Sequence, residues 1–201
     1  PNGFQQTGFT QVGGGIQLQN TPGAAPYVIG GFGAGEANLI AYNRGVGIVT
    51  FNTAFFDNRG NVIHHNRGLG RTNVDISVPG PSANDPGDAD GGANNGQNHP
   101  EFIAATQSGN QLTITYRVDS APVNSLYPLR IDFYRNIQGG SGMRIGQDTY
   151  TEDVAQAERT VVFTLPPGES GIPFVALATG ASGYSSEFSA AFDVLFEYGF
   201  E

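Results

Sequence analysis

Alternating apolar and polar positions mark the second half of the chain, residues 101–201. The apolar positions with this spacing are Leu112, Ile114, Tyr116 and Val118, then Leu129, Ile131 and Phe133, then Val161, Phe163 and Leu165. Period-two alternation predicts antiparallel strands that bury one face. About seven such strands, separated by turn segments such as NIQGGSGM and PPGESGIP, predict an Ig-like β-sandwich.

The first half, residues 1–80, contains a repeat instead. Residues 38–47 read NLIAYNRGVG and residues 61–70 read NVIHHNRGLG, 23 positions later. A period in the low twenties predicts a solenoid, and short β-branched runs bounded by Asn and Gly predict a β-coil. Since parallel strands stack about 4.8 Å apart, we expect Ile40 to lie on Ile63 and Asn43 on Asn66. Such a ladder lets the asparagine amides bond from coil to coil.

A third partial copy extends the coil toward the N-terminus. Residues 15–20, GIQLQN, resemble residues 47–52, GIVTFN, at an offset of 32. The nine additional residues predict a surface loop within residues 21–37, because solenoids accommodate insertions as loops. We therefore expect about three coils in residues 1–80.

The copies differ at two adjacent positions, where His64 and His65 replace Ala41 and Tyr42. Adjacent strand residues point to opposite faces, so this pair is not expected to bind one metal ion together. We interpret both as surface or turn histidines.

Two arginines occupy equivalent positions in the repeat, Arg44 and Arg67. Stacked like charges predict solvent exposure or a neighbouring carboxylate such as Asp57 or Glu36. An arginine ladder is also a candidate binding surface for an acidic polysaccharide.

An acidic loop, residues 81–100, separates the two halves. Its oxygen donors are Asn84, Asp85, Asp88, Asp90 and Asn94. Carboxylates and amides in flexible loops are the ligands that Ca²⁺ prefers, so these residues form a candidate calcium site that would make the joint rigid. The loop is not an EF-hand, because His99 stands twelfth from Asp88, where a glutamate is required. The alternative is a turn-rich linker without a metal.

The tail has an aromatic stripe. Phe192, Val194, Phe196, Tyr198 and Phe200 fall on one face of a predicted strand. This strand either completes its own sandwich or adds to an open sheet edge of another copy. Contacts of the second kind that run head to tail without closing produce filaments.

Composition excludes several partners. The net charge is −9, and the nine basic residues are scattered arginines, which disfavours binding to nucleic acid and to anionic membranes. No apolar run approaches the roughly 20 residues of a membrane span, so we expect no membrane insertion. The absence of cysteine excludes disulfides and thiol chemistry. The start at Pro1, without Met, predicts a processed piece of a longer protein.

Three segments together resemble a known family. VIGGFGAGEANLIAYNRGVGI, GNVIHHNRGLG and ANDPGDADGGANNGQNHPEF are similar to the last coils of bacterial right-handed parallel β-helix surface proteins of the pectate-lyase-like superfamily. An Ig-like sandwich commonly follows those coils, and LTITYRVDSAPVNSLYPLRIDFYRN resembles one. The ending FEYGFE resembles a short terminal motif of some Gram-negative exported proteins. The resemblance implies an extracellular or cell-surface location.

These observations leave three functions open. The first is a non-enzymatic structural or adhesive protein that self-assembles, with no cofactor other than calcium. The second is a polysaccharide lyase or hydrolase, although the coils offer only Glu36, Asp57 and Asp75 as carboxylates. The third is a carbohydrate-binding module without catalysis.

Overall fold

The computed structural model describes residues 14–19, 25–51, 54–67, 73–76 and 80–196, without the side chains of Phe51, Leu195 and Phe196. The fold is all-β. Its described elements are fourteen strands and two short 3-10 turns, Ala93–Gly96 and Glu152–Val154. In this part of the chain no helix has the length and hydropathy of a membrane span.

The first region consists of short strands that pair in parallel. They are β1 (Ile16–Gln19), β2 (Tyr27–Gly30), β3 (Leu39–Ala41), β4 (Ile48–Phe51), β5 (Phe56–Arg59), β6 (Val62–His64) and β7 (Val74–Ile76). Strand β1 pairs with β4, β2 with β5 and β3 with β6, so the second set of three strands pairs with the first set in the same order. Strand β7 then pairs with β4. We call these seven strands the stack.

The register of the stack follows the repeat. Ile40 pairs with Ile63 across β3 and β6, at the 23-residue offset, and Ile16 pairs with Ile48 across β1 and β4, at the offset of 32. The apolar side chains of successive levels therefore superpose. They form a core of buried Ile29, Ile40, Ile48, Phe56, Ile63, Val74 and Ile76.

The predicted loop within residues 21–37 shares that range with a strand that the sequence analysis did not predict. Strand β2 pairs along its length with β5, and residues 31–38, between β2 and β3, form no strand. The segment Tyr27–Gly30 is a partly exposed strand of only four residues between Gly- and Pro-rich segments, and it has no identical copy in the chain. The repeat could not reveal it.

The second region is antiparallel, apart from its last strand. Its strands are β8 (Glu101–Ser108), β9 (Gln111–Arg117), β10 (Leu129–Ile137), β11 (Gly140–Tyr150), β12 (Arg159–Thr164), β13 (Phe174–Thr179) and β14 (Leu195–Phe196). One sheet has the order β12-β9-β8-β14, and the other contains β13-β10-β11. The two sheets contribute to one core in which Tyr116, Phe133, Tyr150 and Phe174 are fully buried.

The two regions share a sheet. Strand β11 pairs with β6 through Ser141 and Ile63, which gives the mixed order β13-β10-β11-β6-β3. The second region is therefore hydrogen-bonded to the last level of the stack as well as being connected to it through residues 81–100.

Candidate functional site

The last level of the stack, strands β5, β6 and β7, ends against four polar side chains from elsewhere in the chain. Asn94 lies in the acidic loop, Ser141 on β11, and Ser185 and Glu187 follow β13. Each accepts a hydrogen bond from a backbone N–H of the last level. We call these four residues the cap residues.

Asn94 acts on β5 as a neighbouring strand would. Its Oδ1 accepts from the Phe56 amide at 2.6 Å, and its Nδ2 donates to the Phe56 carbonyl at 3.0 Å. The side-chain amide thus replaces a peptide group of the next level. Two residues further along β5, the Asn58 amide donates to Oγ of Ser185 at 2.9 Å.

Ser141 and Glu187 act in the same way on β6 and β7. The Ser141 hydroxyl accepts from the Ile63 amide at 2.9 Å and donates to the Asn61 carbonyl at 2.8 Å. The Glu187 carboxylate accepts from the amides of Ile76 and Ser82, both at 2.8 Å. Burial raises the pKa of Glu187, since desolvation outweighs these hydrogen bonds. Side chains thus satisfy backbone donors of β5, β6 and β7 on the side that faces away from the preceding level.

The first level differs from the last level. Among the described residues, β1, β2 and β3 are the outermost strands of their sheets. Large apolar side chains on this level are exposed: Val28 at 56% and Leu39 at 70%. Exposed edges with apolar side chains favour association with another strand.

The acidic loop brings three of the predicted calcium ligands together. Carboxylate oxygens of Asp85, Asp88 and Asp90 lie within 4.8 Å of one another. Burial and then the charges of Asp85 and Asp88 raise the pKa of Asp90. Mutual repulsion of this kind is relieved by a cation, so the three carboxylates form a chemically suitable cation site.

Asp88 already has protein partners. Its carboxylate accepts hydrogen bonds from Gln97 Nε2 and the Asn98 amide, each at 2.8 Å, and from the hydroxyls of Ser120 and Ser125. Burial raises the pKa of Asp88 in spite of these donors. This buried carboxylate fastens the loop to the turn that follows β9, so the loop is not a free linker.

Asp85 has one satisfied and one unsatisfied oxygen. Oδ2 accepts from the amides of Ala89 at 2.8 Å and Asp90 at 3.1 Å. Oδ1 is buried and has no hydrogen-bond partner among the described residues. A cation would satisfy this oxygen.

The two asparagines of the predicted calcium set have other roles. Asn84 accepts from the His99 amide and donates to the His99 carbonyl, both at 2.9 Å. Asn94 is buried against β5, where it serves as a cap residue. The five predicted ligands are therefore reduced to three carboxylates, because a side-chain amide in a loop can also pair with backbone groups.

The predicted asparagine ladder is present at the turn after β3 and β6. Asn66 Oδ1 accepts from the Asn43 amide at 3.1 Å and from Asn43 Nδ2 at 2.8 Å. Asn66 Nδ2 in turn donates to the Ile40 carbonyl at 2.9 Å and to Asn73 Oδ1 at 3.0 Å. Asn73 is a third rung that the repeat did not reveal, because it follows Asn66 after only seven residues.

The histidines at this turn are closer together than expected. Tyr42 and His65, at equivalent positions, both adopt positive φ angles, 60° and 54°. His65 therefore leaves the strand direction, and its Nδ1 lies 2.8 Å from Nδ1 of His64. The expectation that the two rings point to opposite faces is wrong, since it assumed that the strand continues through His65. Burial and then the neighbouring His65 lower the pKa of His64.

The same corner carries exposed groups. Tyr42 is 72% exposed and stacks on the His65 ring, with ring centroids 5.0 Å apart. Arg44 and Arg67 are also exposed. The carboxylates expected beside them bond elsewhere: Glu36 accepts from the Gly33 amide, and Asp57 pairs with other arginines.

Sequence reasoning missed a charge network between the two regions. Asp57 on β5 pairs with Arg59 at 2.6 Å and with Arg130 on β10 at 2.7 Å. Burial raises the pKa of Asp57, but hydrogen bonds and charges from these arginines outweigh it and hold the pKa below its ordinary value. Arg130 and Arg144 also pair with buried Asp132. Opposite charges two residues apart on one strand, as in Asp57–Arg59 and Arg130–Asp132, were the available signal.

The network borders an open pocket of about 390 Å³. Asp57, Arg59, Arg130 and Thr179 line it together with the glycine-rich turn 180–183. The ring of Phe32 lies over Arg130 and Arg144, with centroid distances of 5.2 and 4.4 Å. The arginines are thus held between carboxylates and an aromatic ring, which suits them to fastening the regions together.

The described part of the aromatic tail packs within its own molecule. Phe192 forms a bridge with Phe174 and contacts the ring of Phe102, and Val194 is buried in the core of the second region. The strand begins only at Leu195, where it pairs in parallel with β8. The Phe196 side chain, Tyr198 and Phe200 lie outside the described residues.

Comparisons with known proteins add little to this geometry. No protein-family model matches the sequence, and no curated protein matches it. One similar solved structure is a DUF3823 family protein from Bacteroides ovatus, with a TM-score of 0.37 and 14% sequence identity. The match covers 47% of this chain and 51% of the Bacteroides protein, so this chain spans about half the length of that protein. This likeness carries no argument about fold or function, and the resemblance to β-helix surface proteins stays a prediction.

Proposed function

We propose that the chain is a non-enzymatic structural or adhesive module of a bacterial cell surface. Its first region would be a short right-handed parallel β-helix, and its second an Ig-like β-sandwich that terminates the helix. The observation that supports this proposal is the difference between the two ends of the stack. One end is closed by the cap residues, and the other has, among the described residues, edge strands with exposed apolar side chains. The extracellular location rests on the sequence resemblance alone.

Self-association would use the first level of the stack, and its occupant would be a second copy of this chain. Coil-on-coil stacking from head to tail would need a free edge on the last level, and the cap residues already bond there. The described part of the tail is also engaged, through Phe192 and Val194. We therefore replace the expected filament by a closed pair of copies that meet at their first levels.

The oligomeric state tests this proposal. Leu39→Lys places a charge on the exposed edge level, and Val123→Lys places the same charge on a loop of the second region, where Val123 is 89% exposed. By light scattering after gel filtration, the native chain and Val123→Lys should form pairs, and Leu39→Lys should be monomeric. A native chain that remains monomeric at all accessible concentrations would contradict the self-association.

Calcium is the proposed ligand of the three loop carboxylates, supported by their proximity and by the unsatisfied Oδ1 of Asp85. Calorimetric titration with Ca²⁺ should show one site in the native chain, which Asp90→Asn weakens strongly. Asp193→Asn, an exposed aspartate in the tail segment, is the control. Equal heats for both variants would remove calcium from the proposal.

A carbohydrate-binding role is the second candidate, and the exposed corner of Tyr42, Arg44 and Arg67 favours it. Aromatic faces and guanidinium groups are suited to sugars and their carboxylates. Affinity electrophoresis in acidic polysaccharides should retard the native chain and not Tyr42→Ala. Release of unsaturated or reducing ends in the same mixtures would instead indicate a lyase or hydrolase.

A further inference from the structure

The turn at His64 and His65 brings two imidazole rings together. The positive φ of His65, 54°, turns its ring toward His64, so that the two Nδ1 atoms lie 2.8 Å apart. Both residues are only partly buried. Neither ring forms part of the stack core.

We propose that His64 and His65 bind one divalent transition-metal ion through their two Nδ1 atoms. A metal ion about 2.0 Å from each of two imidazole nitrogens, with its two bonds at a right angle, holds those nitrogens about 2.8 Å apart. The observed separation equals this value. Right-angled nitrogen ligands are typical of square-planar or tetragonal Cu²⁺ and Ni²⁺, whereas tetrahedral Zn²⁺ requires a wider pair.

Binding needs only a change of tautomer. At present one Nδ1 carries the hydrogen that bridges the two rings, as their separation indicates. When that proton leaves Nδ1 and a proton is taken up at Nε2 of the same ring, both Nδ1 lone pairs become available and each imidazole stays neutral. Small side-chain rotations then direct both lone pairs at one ion, and water completes its coordination.

This site is distinct from the acidic loop in its chemistry. Imidazole nitrogen suits transition metals, while the carboxylates of Asp85, Asp88 and Asp90 suit hard cations such as Ca²⁺. The two proposals can therefore fail independently. The histidine site also does not depend on the proposed self-association.

The experiment uses the full chain without a histidine tag, titrated with Cu²⁺ and with Ni²⁺ by calorimetry, and with Cu²⁺ by electron paramagnetic resonance. His65→Asn removes one ligand and keeps a residue that tolerates positive φ, so the turn is retained. His64→Thr removes the other ligand and keeps a good strand residue. His99→Ala is the control, since His99 lies in the acidic loop.

The native chain and His99→Ala should bind one Cu²⁺ with two nitrogen ligands in the resonance spectrum. His65→Asn and His64→Thr should each bind Cu²⁺ at least about tenfold more weakly. Loss of a group that only supports a metal ligand typically weakens metal binding by about 10- to 100-fold, and loss of the ligand itself should weaken it at least as much. The two variants should show at most one imidazole nitrogen. Failure of the native chain to bind, or unchanged affinity and spectrum in both turn variants, would overturn the proposal.

Discussion

The two ends of the stack are built from the same kind of strand, yet they are finished in different ways. At the last level, backbone donors of β5, β6 and β7 bond to side chains of Asn94, Ser185, Ser141 and Glu187. At the first level, β1, β2 and β3 are edge strands among the described residues, with Val28 and Leu39 exposed. The comparison teaches that a parallel stack can be terminated by polar side chains from another region, together with the pairing of one strand, β6, with β11.

The difference between the two ends of the stack also gives a physical reason for the position of the second region at the last level. A buried edge with orphan N–H groups would cost roughly 1–3 kcal/mol for each group. Covering the edge with a sheet whose polar side chains match those groups avoids that cost. The second region can thus serve as the terminating element of the stack, in agreement with the proposed structural role.

The largest effect is expected at the cap residue Asn94. Asn94→Ala removes the acceptor of the buried Phe56 N–H and the donations to the carbonyls of Phe56 and Ser185, so we expect the free energy of unfolding to fall by about 3 kcal/mol. Asn95→Ala is a matched control, because Asn95 has a similar φ, 56° against 48°, and its side chain donates to the carbonyl of Asn124 at a longer distance, 3.3 Å. Urea denaturation measures both. Equal losses would mean that backbone conformation, and not capping, determines the effect.

A smaller effect should separate the inner and outer rungs of the asparagine ladder. Asn66→Ala removes bonds to Asn43, Ile40 and Asn73, and it should lower the free energy of unfolding by about 2 kcal/mol. Asn43→Ala, on the first level, loses its donation to Asn66, the one side-chain hydrogen bond that it donates within the described residues, and should cost less than about 1 kcal/mol. Thermal and urea unfolding of the two variants test this order. A greater loss at Asn43 would contradict the difference between the levels.

The charge network at the closed end predicts a pH dependence. Asp57→Asn should lower the free energy of unfolding by about 2 kcal/mol at pH 7, below the usual cost of breaking a buried pair because Arg59 is partly exposed. The folded-state pKa of Asp57 lies below its ordinary value of 3.8, so its contribution is present above that pH and is lost as the pH falls through the folded-state value. The gap between the native chain and the variant should therefore narrow below about pH 4.

Urea denaturation at several pH values between 7 and 3 measures this gap. Asp193→Asn, an exposed aspartate, is the control and should show no comparable narrowing. A gap that stays constant across the range would show that the Asp57 pairs do not contribute through their charge.

Much of the stack could be predicted from the sequence, because equivalent residues of the repeat pair with each other across neighbouring strands. The repeated Ile and Asn positions lie opposite each other, as Ile40 does with Ile63 and Asn43 with Asn66. Alternation likewise predicted buried faces on β9 and β10, where Leu112, Ile131 and their alternate neighbours are buried. These features depend on local periodicity, which a single sequence contains.

The closed end could not be predicted. The cap residues bond to partners that are 38, 78, 111 and 127 positions away, and each is a single polar residue without a pattern around it. The approach of His65 to His64 depends on the positive φ angle of His65, which the residue type does not indicate. Burial of Phe192 and Val194 depends on how the tail meets β8 and β13, which alternation alone does not determine.

Native-state hydrogen exchange of the amides of Phe56, Asn58, Ile63 and Ile76 tests most directly whether side chains close the stack. These four donate to the cap residues, so they should exchange as slowly as amides paired between neighbouring strands of the stack. They should also exchange far more slowly than the β3 amides that face away from β6. If the four instead exchange at the rate of those outward β3 amides, the last level is open and the second region does not terminate the stack.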